Sequence, residues 1–547
     1  MREGFARNCW PLLVVAAVGI AALLPAIIYG VPVGSVADQP HHYRLALPFY
    51  EAVRAGVVYP GWLAESTGGY GDVSFRFYPP ATYYLLALTR TLAGNWYHGS
   101  LIAFALLSMT GGLGVYTWAR AFLPPKLAVW AGVFFTLMPY HVNEIYQAFM
   151  LPEYAGCAVL PFAFAFVERI CRAGRTRHIV GLAIAYAVLI LTHLPLTVIG
   201  SLALLVYALL RLEKINLWPT LLRLALGVML GLAASAFYWT TLVAELSWIG
   251  ANNAHPDPWY DYHFNFLFWK SVEGAPNWWA NILAIATFIM ILPALAISRR
   301  ALKGRINRGV FAVILLTLVS VFMTLPVSLP VWKVVPMLKE VQFPWRWLTV
   351  TSMAGSVALA ASIPYWVENA RSKYRPLALI AAGSVLITLT FTLSQPLRDA
   401  KYFTHTEFQA FLQTIPGSAA LAYWLPVWAS DQPRKMDHEV EAANRSCTIE
   451  SWQPEERLFN VEAGAQTEAR VRTFYYPHWI ALANGRQLET RPAEDGALLI
   501  KLPAQAVSVK LKFEEPARTR YAAACAAFGW TLILALFIFN PRILRQT

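Results

Sequence analysis

Charge is what this sequence is short of. Only 14% of its 547 residues are Asp, Glu, Lys or Arg, against 57% hydrophobic, where a soluble chain carries roughly 25% charged residues. That excludes an ordinary soluble globular protein. Cysteine is scarce as well, with Cys9, Cys157, Cys171, Cys447 and Cys525 the whole set. None stands in a CxxC or similar metal-type spacing, so no disulfide framework is implied. The chain also lacks a P-loop; the "GGYG" at 68–71 does not match one. No repeated halves with broken mid-membrane segments appear, as many transporters have.

What is present is one apolar run after another, many near or beyond the ~18–20 residues that cross a bilayer as a helix. In lipid the backbone must satisfy its own polar groups, so these runs are helices. The chain reads as a polytopic α-helical membrane protein. Its net charge of +13 is then a topology signal, because Lys and Arg gather in short loops that mark the inside. These are 120–126, 168–178, 211–214, 299–308, 371–375 and the tail. The first run, 10–30, reads as an uncleaved anchor in preference to a signal peptide, although Ser35-Val36-Ala37 resembles a cleavage site.

The basic loops all fall on one side only if 79–94, "PPATYYLLALTRTLAG", does not cross. That segment is short, opens on two prolines and contains Arg90, so it reads as an interfacial or re-entrant helix. About twelve spans follow: 10–30, 99–119, 127–142, 151–168, 178–192, 195–211, 220–244, 278–298, 309–329, 346–367, 376–395 and 521–540. Both termini are then cytoplasmic. A transmembrane domain covers 1–395 with an outer loop at 31–97. A periplasmic domain covers 396–518, and a final helix and tail cover 519–547. In the periplasmic part, "RVRTFYY", "GALLIKLP" and "AVSVKLKFEE" alternate as half-buried strands do. Asn484-Gly485 signals a hairpin. A β-sandwich from about 440, before the last span, is expected.

The candidate chemistry lies on the outer face. Asp38, His41, His42, Tyr43 and Arg44 crowd the start of the first outer loop, and residues 43–55 read as a surface amphipathic helix. A polar wet loop is the plain alternative. Further on stand Asp72, Arg76 and Tyr78. The second outer loop holds His141, Asn143, Glu144 and Glu153, and Glu153 sits at the top of a span, where an ionisable group is costly. Arg346 lies between Trp345 and Trp347. It is either a snorkelling interfacial arginine or a phosphate ligand. The loop 245–277 adds His255, Asp257, Asp261 and His263 without diagnostic spacing, and His193, alone at a turn, reads as structural.

Taken together, an acid in the first outer loop, a surface helix, a "YPP" entry to a membrane-associated helix and a second acid after the third span resemble the GT-C glycosyltransferases. "FRFYPPATYYLLAL", "QFPWRWL" and "FYYPHWIALANGRQ" also resemble bacterial membrane proteins of YfhO type and relatives labelled 6-pyruvoyl-tetrahydropterin-synthase-related. No pterin chemistry is visible in these residues. The resemblance implies a GT-C-like fold and transfer of a sugar from a polyprenyl-phosphate carrier to a glycan, lipid or protein acceptor at the periplasmic face of a bacterial inner membrane. It makes Asp38 and Glu153 the catalytic acids and the ligands of any divalent cation (Mg or Mn). His41, His42, Arg44, Tyr78, His141, Trp345 and Arg346 would meet substrate or carrier. The second loop lacks an Asp-x-Asp or Asp-x-Glu pair, which weakens the metal. A non-enzymatic role in binding, transport or assembly of a lipid-linked envelope polysaccharide is the alternative. No nucleic acid partner is expected.

Overall fold

The apolar runs form helices, and some of their ends fall at proline or glycine, as at Gly94 and Gly174. The computed structural model describes residues 2–33, 38–250, 258–275, 277–297, 307–415, 424–430 and 432–539. Eight described helices are long and apolar enough to cross a membrane, among them Trp96–Ala119, Leu151–Ala173, Leu194–Arg211 and Pro344–Asn369. A ninth is formed if Arg308–Thr324 and Pro326–Val334, bent by 92° at the break, are one span. Pro326 explains the break, since proline disfavours helix in the residue before it. The count falls short of twelve because three other expected spans are divided or short. The expected span 127–142 is divided at Pro139 into Pro125–Thr136 and Pro139–Tyr146. The expected first and fifth spans are represented by the shorter apolar helices Cys9–Ala21 and Thr176–Ile190.

Burial separates centre from periphery. The apolar window of Pro344–Asn369 is 83% buried, while those of Arg375–Arg398 and Ala517–Ile538 are 22% buried and turn apolar side chains outward. The central helix carries Thr349, Ser352, Ser356 and Ser362, all enclosed.

Before the first of these helices, Trp96–Ala119, the chain makes two shorter helices. Gln39–Arg54 buries Tyr43, Leu45, Ala46, Phe49 and Tyr50 on one face. Ala81–Ala93 has 13 residues, about 20 Å of helix, too short to span. Its first amide, on Ala81, donates to the Leu191 carbonyl at 2.8 Å.

Nine strands between Val440 and Phe513 form two antiparallel sheets around a shared core. One is ordered Val440–Ala442, Thr467–Phe474, Ala497–Leu502, Thr490–Pro492. The other is Cys447–Trp452, Glu456–Val461, Val507–Phe513, Trp479–Ala483, Arg486–Leu488. In Val507–Phe513 the residues Val507, Val509, Leu511 and Phe513 point inward and Ser508 and Lys510 outward. Asn484 and Gly485, with φ of 49° and 76°, turn the hairpin between Ala483 and Arg486, the left-handed pair that a two-residue hairpin requires. Trp62, Tyr70, Val73 and Phe77 of the first outer loop pack into this same core.

Candidate functional site

The first loop enters its surface helix through Asp38. The backbone amides of His41 and His42 donate to the Asp38 carbonyl, at 3.1 and 3.2 Å, and its own amide donates to Ala148 at 3.2 Å. That last bond ties the segment at 38 to the one at 148. Asp38 is exposed at the start of this helix, with the charges of Arg346 and Glu153 close enough to act on its carboxyl. Desolvation raises its carboxyl to about 6; Arg346 acts against the shift and Glu153 adds to it.

Glu153 lies in the first turn of Leu151–Ala173 and is almost fully enclosed. It accepts from Arg346 Nε at 2.9 Å, Tyr140 OH at 2.8 Å and Thr349 Oγ1 at 3.4 Å. Arg346 also donates through Nη1 to the Val341 carbonyl at 2.8 Å and lies over the Phe343 ring. Its Nη2 makes no hydrogen bond among the described residues. Tyr78 is half-buried and feels Asp38, Arg346 and Glu153; burial pushes its hydroxyl up, the nearby Asp38 reinforces this, and Arg346 opposes it. Four residues from four distant stretches, Asp38, Tyr78, Glu153 and Arg346, thus share one electrostatic neighbourhood.

The other sequence candidates have different settings. His42 is buried, its Nδ1 3.0 Å from Tyr83 OH, and desolvation lowers it to about 3. It is a neutral packed residue and offers no cation to a phosphate. His41 is partly open and 3.5 Å from Arg44, with desolvation and then Arg44 lowering its pKa. Arg44 faces Asp72. His141 is stacked between Phe135 and Tyr154, with ring centroids 4.4 and 4.6 Å away, and its Nδ1 lies 3.1 Å from Glu144. Trp345 packs against Phe343, Trp279 and Tyr140. His255 and Asp257 lie outside the described residues; Asp261 and His263 pair with each other at 2.8 Å, partly exposed.

Two further residues stand close to this site. His193 caps Leu194–Arg211 through Nδ1 on the Leu196 amide at 3.3 Å, the structural bond expected. It also stands near Arg346 and His42. Thr349, one helical turn from Arg346, had no signal beyond its position in the central helix.

A cation shared by Asp38 and Glu153 would compete with the three donors already on Glu153, among them a guanidinium that supplies its countercharge. Among the described residues the one group with metal-ligand make-up is His141, Glu144 and Cys157.

A family model described as "6-pyruvoyl-tetrahydropterin synthase related domain; membrane protein" matches residues 75–397. That is more than half of the chain, and the protein belongs to this membrane protein family. The comparison with curated proteins finds no match. Solved structures similar to the chain include the archaeal oligosaccharyltransferase AglB of Archaeoglobus fulgidus with an inhibitory peptide and a dolichol-phosphate. It is 14% identical with a TM-score of 0.46, covering 74% of this chain and 57% of that one. ArnT of Cupriavidus metallidurans bound to undecaprenyl phosphate is 15% identical with a TM-score of 0.42, covering 76% and 77%. The arabinofuranosyltransferase AftD from Mycobacteria is 15% identical with a TM-score of 0.45, covering 75% and 29%. The chain thus spans little more than half the length of the archaeal enzyme.

Proposed function

We propose that the protein is a membrane glycosyltransferase that moves a sugar from a polyprenyl-phosphate carrier to a cell-envelope acceptor at the periplasmic face. The observation that carries this reading is that Asp38, Tyr78 and Arg346, from three distant stretches, act on one another electrostatically. A carboxylate poised near 6 suits a general base at neutral pH. An arginine with an unengaged Nη2 suits a phosphate oxygen.

In the reaction the acceptor hydroxyl oxygen forms a bond to the anomeric carbon, and its proton passes to an Asp38 carboxylate oxygen. The bond from that carbon to the carrier phosphate breaks, and the phosphate leaves with the electron pair. Arg346 and the Tyr78 hydroxyl stabilise the departing anion. Glu153 is a positioning residue, fixing the guanidinium from behind with Tyr140 and Thr349. No step requires a cation between Asp38 and Glu153.

The same reading assigns twelve crossings, with the bent and short helices completing the set, and both termini in the cytoplasm of a bacterium. The transmembrane part is 1–395, and the β-rich part lies in the periplasm, within 396–518. The polyprenyl tail lies between membrane helices, and the acceptor is a glycan, lipid or protein reached from outside.

The test is cryo-electron microscopy of the full chain with added undecaprenyl phosphate, joined to a transfer assay with a radiolabelled polyprenyl-phosphate sugar and envelope extract. Phosphate density beside Arg346 and loss of transfer in a folded Asp38→Asn variant are expected. Full transfer by Asp38→Asn, or phosphate density remote from Arg346, would overturn the assignment.

A further inference from the structure

We propose that His141, Glu144 and Cys157 form a buried site for a divalent cation of the zinc type, distinct from the Asp38–Arg346 site. His141 and Glu144 are three residues apart on the helix Pro139–Tyr146, so they share one face. Cys157 comes from the packed helix Leu151–Ala173. Glu144 Oε2 lies 3.1 Å from His141 Nδ1, and Glu144 Oε1 lies 3.2 Å from Cys157 Sγ. One ligand atom from each residue falls within 4.8 Å of the others. A zinc ion with ligand bonds of about 2.0–2.3 Å places its ligand atoms roughly 3–4 Å apart, so small side-chain rotations close the set.

Charge gives the independent argument. Glu144 is fully enclosed, and its hydrogen-bond partners are a histidine and a thiol, with no lysine or arginine among them. Glu153 is near enough to repel it, and Arg346 pairs with Glu153, not with Glu144. A buried carboxyl without a countercharge rests in its neutral form, so the charged ligand set would form only with a cation present. A dication held by one carboxylate, one thiolate and a neutral imidazole has no net charge, the one ionic state that costs little in an apolar interior. On binding, the Cys157 S–H bond breaks, its proton and any proton held between His141 and Glu144 pass to solvent, and the cation takes the three freed lone pairs.

The ring of His141 is already fixed for this purpose by its stacking between Phe135 and Tyr154. Thr349 Oγ1 lies 3.6 Å from Cys157 Sγ and 3.4 Å from Glu153. Cys157 is also one helical turn below Glu153. With three protein ligands the cation keeps one position for water, and it would pin the start of the helix that presents Glu153 to Arg346.

The experiment uses the full chain in detergent, exposed to zinc chloride, desalted and analysed for metal. Roughly one zinc per chain, and X-ray absorption with a single sulfur ligand at about 2.3 Å, are expected. Cys157→Ser and Glu144→Gln should each lower retained zinc at least tenfold, while Asp38→Asn leaves it unchanged. Variants are compared only where elution and circular dichroism match the parent, and Cys157→Ala serves if the serine disturbs folding. Failure of the folded parent to retain zinc overturns the proposal. So does zinc retained by Cys157→Ser and lost by Asp38→Asn, which would put the ion at Asp38 instead.

Discussion

Arg76 and Glu245, 169 residues apart, meet in a two-point ion pair out of contact with water: Nε to Oε2 at 2.6 Å and Nη2 to Oε1 at 2.9 Å. The same carboxylate accepts from Tyr476 OH at 2.7 Å and from Arg518 Nη2 at 2.9 Å, and lies 2.9 Å from His478 Nε2. Arg76 also holds Glu515, at 2.5 and 3.0 Å. The first outer loop, the end of the helix Ala236–Glu245, the β-rich part and the approach to the last helix converge on one cluster. Tyr78, two residues from Arg76, belongs to the candidate site, so the lock also fixes the segment that presents it.

Removing one partner of a buried, hydrogen-bonded pair costs about 3–5 kcal/mol, because the other charge is left without compensation. Arg76→Met should lower stability by that order. It should also make 396–518 more susceptible to limited proteolysis, with thermal unfolding in detergent as the first measurement. Proteolysis and melting indistinguishable from the parent would show that the lock holds nothing.

Burial disfavours the Glu245 carboxylate, but the Arg76 and His478 bonds prevail and hold it well below the usual carboxylate range. A depressed acid contributes stability above its unfolded pKa of about 4.5. That stability is lost as pH falls from there toward the folded value. Melting temperature should therefore decline steeply below about pH 4.5, and the decline should be shallower in Glu245→Gln, whose starting stability is lower.

Asp38 has the opposite sign. Its carboxyl is raised to about 6, so the folded state holds the proton more tightly than the unfolded chain, and stability falls as pH rises from about 4 to about 6. Asp38→Asn should melt above the parent at pH 7 and alike at pH 4. If Asp38 is the base, transfer should rise with pH through an apparent pKa near 6, and Asp38→Asn should lose roughly 100-fold or more of the rate. A pH–rate profile flat from 5 to 8 would remove Asp38 from that role.

Arg346 serves Glu153 through Nε, leaving Nη2 for a ligand. Arg346→Lys retains the charge but cannot keep a forked contact. Binding of undecaprenyl phosphate, followed by native mass spectrometry, should weaken about tenfold for lysine and further for glutamine. Equal binding by all three proteins would make Arg346 only the partner of Glu153.

Gly485 turns the hairpin at φ 76° with open space around its missing side chain. Gly485→Ala therefore meets no clash, and only backbone strain opposes it, about 1–2 kcal/mol. Melting of the β-rich part should report a loss of that size.

The sequence by itself determined the class of structure. Its apolar runs and thin charge require membrane helices, because lipid leaves no other partner for the backbone. The alternating stretches and Asn484-Gly485 prescribe strands and a hairpin, because side-chain period and left-handed backbone are local properties. The short helix at 81–93 was likewise legible from its length and prolines. Asp38, Glu153 and Arg346 could be singled out one at a time, as charged residues near the ends of apolar runs. What only the tertiary structure decided is who meets whom. Glu153 is bound by Arg346 instead of standing free, His42 and His141 are packed away, and Arg76 became the centre of a lock where the sequence showed a loop arginine. Such pairings span 169 and 193 residues. They arise from helix packing and loop docking, which no local periodicity encodes.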